Sequence, residues 1–227
     1  MPTFIPGWLQ GMQQYIPSLE FSTPTDFCMD YLKHLAKDKK LQKHIFRHAP
    51  VKLHRRKDLH LHLCGSIVSQ QLSTKVAAAI HRRFLQLYPG RPTALQILQT
   101  TLETLRAVGL SRAKATYIHN VARFSLEQGL DHKLLGRKTD EEVIAYLTQI
   151  KGVGRWTAEM ILMFALGRED VFAVDDLGIR QAMKKIYHLD DSDKKAFKEK
   201  MLTIAQKWRP YRTYACIHLW QSKDAAN

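Results

Sequence analysis

Cysteine is scarce in this sequence and long hydrophobic runs are missing, and each shortage removes a class of protein. The 227 residues hold three cysteines, Cys28, Cys64 and Cys216, scattered and odd in number. No CxxC pair occurs, so a zinc site or an iron–sulfur cluster built on four cysteines lacks its ligands. The three thiols read instead as reduced core residues of a cytosolic, nucleoid-associated or nuclear protein. No apolar run approaches the roughly eighteen residues that a transmembrane helix needs. The opening MPTFIPGWLQ lacks the charged-then-apolar pattern of a signal peptide, and no membrane partner is expected. No segment alternates with period two for long enough to read as a strand. Acid is also in short supply: 21 Asp and Glu stand against 35 Lys and Arg, a formal net charge of +14 with a pI near 9.8. A surplus of that size calls for a polyanionic partner, nucleic acid first. Of the eleven histidines, His44, His48, His54, His60 and His62 lie among Lys and Arg. They are expected to form a basic face and not a metal cage.

What is present is helical periodicity. Apolar residues make up 45% of the chain and charged residues 25%, the balance of a globular protein. Residues 1–22 read as an extended arm packing Phe4, Ile5, Trp8 and Tyr15 against the body. Thr25 caps a first helix with Cys28, Tyr31, Leu32 and Leu35 inward. Lys39–His48 gives a second, with Leu41, Ile45 and Phe46 inward. After the basic linker 52–57, Asp58 opens a helix ending at Ser69-Gln70-Gln71-Leu72. Ser73 caps Lys75–Tyr88, with Val76, Ala79, Ile80, Phe84 and Leu87 at core spacing. A short helix at Thr93–Leu98, a capping box at Thr100-x-x-Glu103 and a long helix capped by Ser111 follow. Helices over Ser192–Trp208 and Tyr211–Trp220 complete the chain. Ten or more helices with short connections predict an all-α fold. Two helical lobes are expected, 1–57 with 181–227 and 58–180, with a groove between them for a ligand.

The stretch Leu147–Arg180 organises the rest. Thr139 and Glu142 form a capping box, and Val143, Ile144, Leu147 and Ile150 continue at helical spacing. The turn Lys151-Gly152-Val153-Gly154 then leads into a second helix from Arg155. Glycines at 152 and 154 permit a tight turn and close approach by another molecule. Their amides, just ahead of a helix N-terminus, make an anion site suited to phosphate. Some twenty residues on, Asp175-Asp176 precedes another helical pattern. One of the pair is expected to cap that helix; the other, an acid near a phosphate site, asks for a chemical role.

The run Leu147–Ala158 with Val174-Asp175-Asp176, joined by Ser69–Leu72 and the tail Trp208–Trp220, resembles the helix-hairpin-helix-GPD superfamily of DNA glycosylases. Within it the alkylbase branch, 3-methyladenine DNA glycosylase II and the fungal methyladenine glycosylases, is the most similar. The likeness spans about Leu61 to Trp220, in the compact form without an N-terminal β-rich domain. It implies two helical lobes with a DNA-binding cleft, and Asp176 as the catalytic acid, by register with Ile179. Asp175 is the alternative, with capping as its ordinary role. It implies phosphate contacts at Gly152, Gly154 and Thr157, and a wedge at Gln71, with Leu72 as the alternative plug. A substrate pocket at Trp156, Trp220 and Tyr214 is also implied, while Met160 stands where the bacterial enzyme has a tyrosine. No cofactor is required by the resemblance. It implies a structural Na+ or K+ on the main-chain carbonyls of Thr148, Ile150 and Gly152. Relatives with lyase activity carry a lysine where this chain has Trp156, so a monofunctional hydrolase is expected. Its partner would be double-stranded DNA containing alkylated bases, and the chain would act as a monomer. A non-catalytic DNA-binding module and a glycosylase for another lesion class are the rival readings.

Overall fold

Side-chain caps decide where most of the helices begin. The computed structural model describes residues 26–47 and 50–224. The N-terminal arm, the Thr25 cap and His48 lie outside the described residues, as does the side chain of Cys28. Among the described residues the chain forms thirteen helices and no strand. In chain order they are α1 (Asp26–Leu35), α2 (Lys39–Ile45), α3 (Leu59–Ser69), α4 (Thr74–Gln86), α5 (Ala94–Gln99), α6 (Leu102–Ala107) and α7 (Arg112–Glu127). There follow α8 (His132–Gly136), α9 (Asp140–Leu147), α10 (Arg155–Phe164), α11 (Leu177–Tyr187), α12 (Lys194–Gln206) and α13 (Arg212–Asp224). The predicted box at Thr139 and Glu142 is formed, and a second joins Thr93 to Gln96. The box predicted at Thr100 is displaced by one residue. Thr100 ends α5, and Thr101 caps α6 by accepting from the Thr104 amide. Helix α8 was not foreseen; five residues are too few to show a period, and only its Asp131 cap marks it.

The described residues divide into two compact units, one of those up to His54 together with those from Gly167, the other of Arg55–Leu166. The expected division had kept 58–180 together. The observed boundary after Leu166 instead groups the Asp175-Asp176 segment with the C-terminal helices.

In the first unit α13 packs on α11 and α2. Tyr31, Leu35, Leu41, Ile45, Phe197, Trp208 and Tyr214 are its largest fully buried side chains. Asp38 caps α2 through the amides of Lys40 and Leu41, and accepts from Tyr187 Oη at 2.8 Å and Trp208 Nε1 at 3.1 Å. Phe46, expected inward, is 63% exposed because α2 ends at Ile45, before the turn that would carry Phe46 to the core face.

In the second unit α7 is the central rod, in contact with α3, α5 and α6, and α10 lies against both α9 and α3. Val76, expected in the core, is 45% exposed, whereas Ala77, Ile80 and Phe84 are buried. The buried stripe of α4 therefore runs from Ala77, and Val76 falls outside it. His60 pairs with the Pro92 carbonyl at 3.0 Å and His81 is buried. Burial, helped by the charges of Arg56 and Arg91, pushes the His62 imidazole down to about 4, and burial pushes His81 down to about 3. Both rings are thus neutral when folded and take up protons near 6.5 when unfolded. Between those values the unfolded chain binds more protons, so stability falls as pH falls. The unfolding free energy is expected to drop between pH 6.5 and 4, by up to about 1.4 kcal/mol per pH unit for each histidine. Denaturant melts at stepped pH check this, and His81→Leu should flatten the dependence.

Candidate active site

Asp176 is set by the segment that leads to it and by the helix it starts. Residues 168–176 run along α13, and the tail motif supplies the stitches. The Thr213 amide donates to the Glu169 carbonyl at 2.8 Å, and its hydroxyl donates to the Arg168 carbonyl at 2.7 Å and accepts from the Val171 amide at 3.1 Å. Arg212 and Arg209 both bind the Asp170 carboxylate, and Arg212 also donates to the Asp170 carbonyl at 2.7 Å. The WRPYRTYACIHLW run thus has a local purpose: it fixes the approach to residue 176. There Oδ1 of Asp176 accepts from the Ile179 amide at 2.8 Å, capping α11, and from Trp220 Nε1 at 2.8 Å. The indole can come this near because residue 178 is glycine; a Cβ there would lie 3.0 Å from Trp220 Cδ1 and 3.2 Å from Asp176 Oδ1. The half-buried carboxylate is therefore held by two donors whose own positions are fixed by a helix and by the core.

The roles within the acid pair differ from those expected. Capping belongs to Asp176, and Asp175 is exposed and paired with Lys198 Nζ at 2.8 Å. An acid that caps a helix through one oxygen is also oriented by that bond, so capping and chemistry are compatible in one residue. Tyr214, expected in a substrate pocket, is fully buried. It stacks on Tyr31 at 4.1 Å and donates to Glu169 Oε1 at 3.0 Å, which makes it a core residue. Trp220 is 3% exposed, and the atom it offers the site is its N–H.

The hairpin belongs to the other unit. Helix α9 ends at Thr148, the chain turns through Lys151–Gly154, and α10 starts at Arg155. Gly152 has φ +106, in the region that favours glycine, and the Tyr117 ring lies against it, so that a Cβ would come within 2.7 Å of Tyr117 Cβ. Gly154 differs: it is extended, a Cβ there would meet nothing within 4 Å, and as N-cap it offers α10 no side-chain acceptor. Met160 is buried in α10, and Trp156 is 38% exposed in its first turn. Thr157, in the same turn, is 3% exposed. Arg155 was not singled out from the sequence. It spans Glu141 on α9 and the buried Glu159 at 3.1 Å, pinning the two hairpin helices together. Gln71 is exposed with φ +57, rare for a residue with a side chain, and Leu72 beside it is 38% exposed.

Known proteins resemble the chain in sequence and in fold. Residues 64–207 match the model of the HhH-GPD superfamily base excision DNA repair proteins. The chain is 34% identical to DNA-3-methyladenine glycosylase 1 of Schizosaccharomyces pombe over 192 residues, 83% of each chain. Its structure is similar to that of the S. pombe 3-methyladenine DNA glycosylase in complex with abasic DNA (TM-score 0.76, 32% identity, 87% of this chain and 98% of that one). It is also similar to a Bacillus halodurans DNA-3-methyladenine glycosidase (TM-score 0.72, 36% identity, 84% of this chain and 87% of that one). With 144 of its 227 residues inside the family model and helices throughout, the chain belongs to the HhH-GPD superfamily of base excision DNA repair proteins.

Proposed function

We propose that this chain is a monofunctional DNA glycosylase that excises alkylated purines, 3-methyladenine and 7-methylguanine among them, from double-stranded DNA, acting as a monomer. The observation that carries the reading is the Asp176 carboxylate, fixed through Oδ1 by the Ile179 amide and the Trp220 indole. In this reading the amides at Gly152 and Gly154 grip phosphates, and the basic surplus supplies the rest of the attraction. Gln71, with Leu72 beside it, fills the gap left when the damaged base leaves the stack. The bond from C1′ to the base nitrogen then breaks, the electron pair leaves with the base, and positive charge grows on the sugar. Asp176 stabilises that charge and accepts the proton of the water that adds to C1′. Trp156 offers a ring face to a cationic base. It also stands in place of an amine, so no Schiff base forms at this position.

The carbonyls of Thr148, Ile150 and Gly152 fit a monovalent cation by their chemistry, being neutral hard oxygens. Ile150 and Gly152 already accept from the Val153 amide and Gln70 Nε2, and each carbonyl keeps a second lone pair. Such an ion would add positive charge beneath the turn that holds the phosphates.

Incubation with methylated duplex DNA is expected to release free methylpurines and leave an intact abasic strand. Borohydride should trap no enzyme–DNA adduct. An adduct forming as fast as base is released overturns the monofunctional assignment, and failure to release any alkylated purine overturns the substrate class.

A further inference from the structure

We infer that Lys114, Gln70 and Asn120 form a brace that fixes the wedge turn at Gln71 relative to the hairpin turn, with Lys114 a positioning residue for base extrusion. This rests on the reading of Gln71 as the wedge and of the hairpin as the phosphate clamp.

Lys114, Tyr117 and Asn120 follow one another at three-residue steps along α7, which places them on neighbouring turns of one helix face. That face touches both turns. Lys114 Nζ donates to the carbonyls of Val68 at 2.8 Å and Gln70 at 2.6 Å, at the C-terminal end of α3, where the helix dipole is negative and carbonyls lack intrahelical partners. Asn120 Nδ2 donates to the Lys151 carbonyl at 3.1 Å, and the Tyr117 ring underlies Gly152. The link is closed from the opposite direction: Gln70 Nε2 donates to the Gly152 carbonyl at 3.1 Å. The chain from the wedge to the clamp is therefore Gln71, Gln70, Gly152, with α7 holding each end.

This explains two features that packing alone leaves open. Gln71 keeps a left-handed backbone without being glycine, a state that persists only where its neighbours over-determine it. The ammonium on the preceding carbonyls is such a neighbour. Lys114 is also half-buried, and burial draws its ammonium below the ordinary value, yet it meets carbonyl oxygens and no carboxylate in these contacts. A partly desolvated ammonium bonded to backbone carbonyls holds that backbone in place. Extrusion needs that rigidity, because one turn must push into the stack while the other holds the strand.

The test is Lys114→Met, which keeps the apolar stem and removes the ammonium. Two duplexes are compared under single-turnover conditions, one with a paired lesion and one with the lesion opposite an abasic site, where no pairing opposes extrusion. Release from the paired lesion is expected to fall about tenfold, the effect of losing hydrogen bonds from a charged group. Release from the unpaired lesion and affinity for undamaged duplex should stay within about twofold of wild type, as neither draws on the wedge. Lys114→Arg should restore the paired rate. If Lys114→Met does not fold, Gln70→Met tests the same link without removing a charge. An equal fall on both substrates, or no fall on either, overturns the brace. Failure of the glycosylase reading looks different: the wild-type chain would then release base from neither substrate.

Discussion

Asp176→Asn is expected to slow base release on the order of 10²- to 10⁴-fold, the range lost with a positioned acid or base, while binding to duplex DNA is kept. The substitution is unusually clean at this position. Asn is as good an N-cap as Asp, and its amide oxygen accepts from the Ile179 amide and Trp220 Nε1 as the carboxylate does. The helix start, the Trp220 contact and the hairpin in the other unit are all retained. What would disappear is the carboxylate charge and the basic oxygen that the proposed reaction uses. Asp175→Asn is the matched control, since Asp175 is exposed and paired with Lys198. An exposed pair of this kind contributes about 1 kcal/mol or less, and its loss should leave the rate nearly unchanged. Single-turnover rates on a methylated duplex, with binding by fluorescence anisotropy, separate the two variants. Base release by Asp176→Asn at the wild-type rate would remove the residue from the chemistry.

Elements whose signal is local were legible in the sequence; those that depend on which residues meet across the fold were not. The box at Thr139 and Glu142 and the Ser111 cap are complete within four residues, and both form as the pattern predicts. The family was readable because the turn, the acid pair and the tail stand together in one chain, and residues 64–207 match that family. Tyr214 shows the limit. At the sequence level an aromatic in the tail looks the same whether it lines a pocket or stacks on Tyr31, and the partner is 183 residues away. The division of labour in Asp175-Asp176 was hidden for a similar reason, because it is decided by Trp220 and Lys198. Lys114 read as one more residue on a long helix, since its partners are the carbonyls of Val68 and Gln70, which carry no side-chain signature.

The two hairpin glycines looked equivalent in the sequence, and the structure makes them fail in different ways. Gly152→Ala places a methyl into the Tyr117 ring and forces a φ of +106 on a residue with a Cβ. The backbone cost is about 1–2 kcal/mol and overpacking adds about 1–3 kcal/mol, with α7 too firmly packed on α3 and α5 to withdraw. For a chain of this size each kcal/mol lowers Tm by about 2–4 °C, so a drop of about 10 °C is expected. Gly154→Ala places its methyl in open space on an extended backbone and should leave Tm within about 2 °C of wild type. Its effect should appear only with DNA. A methyl on the outer side of the turn stands where a phosphate approaches the amide, and affinity for duplex should fall about tenfold, as for one charge-assisted hydrogen bond. Thermal melts and anisotropy titrations on both variants give four numbers, and the pattern matters more than any one of them. A Gly152→Ala chain that melts like wild type would show that Tyr117 yields. A Gly154→Ala chain that binds like wild type would take the phosphate away from this turn, since among the described residues nothing within 4 Å of a Cβ accounts for glycine there.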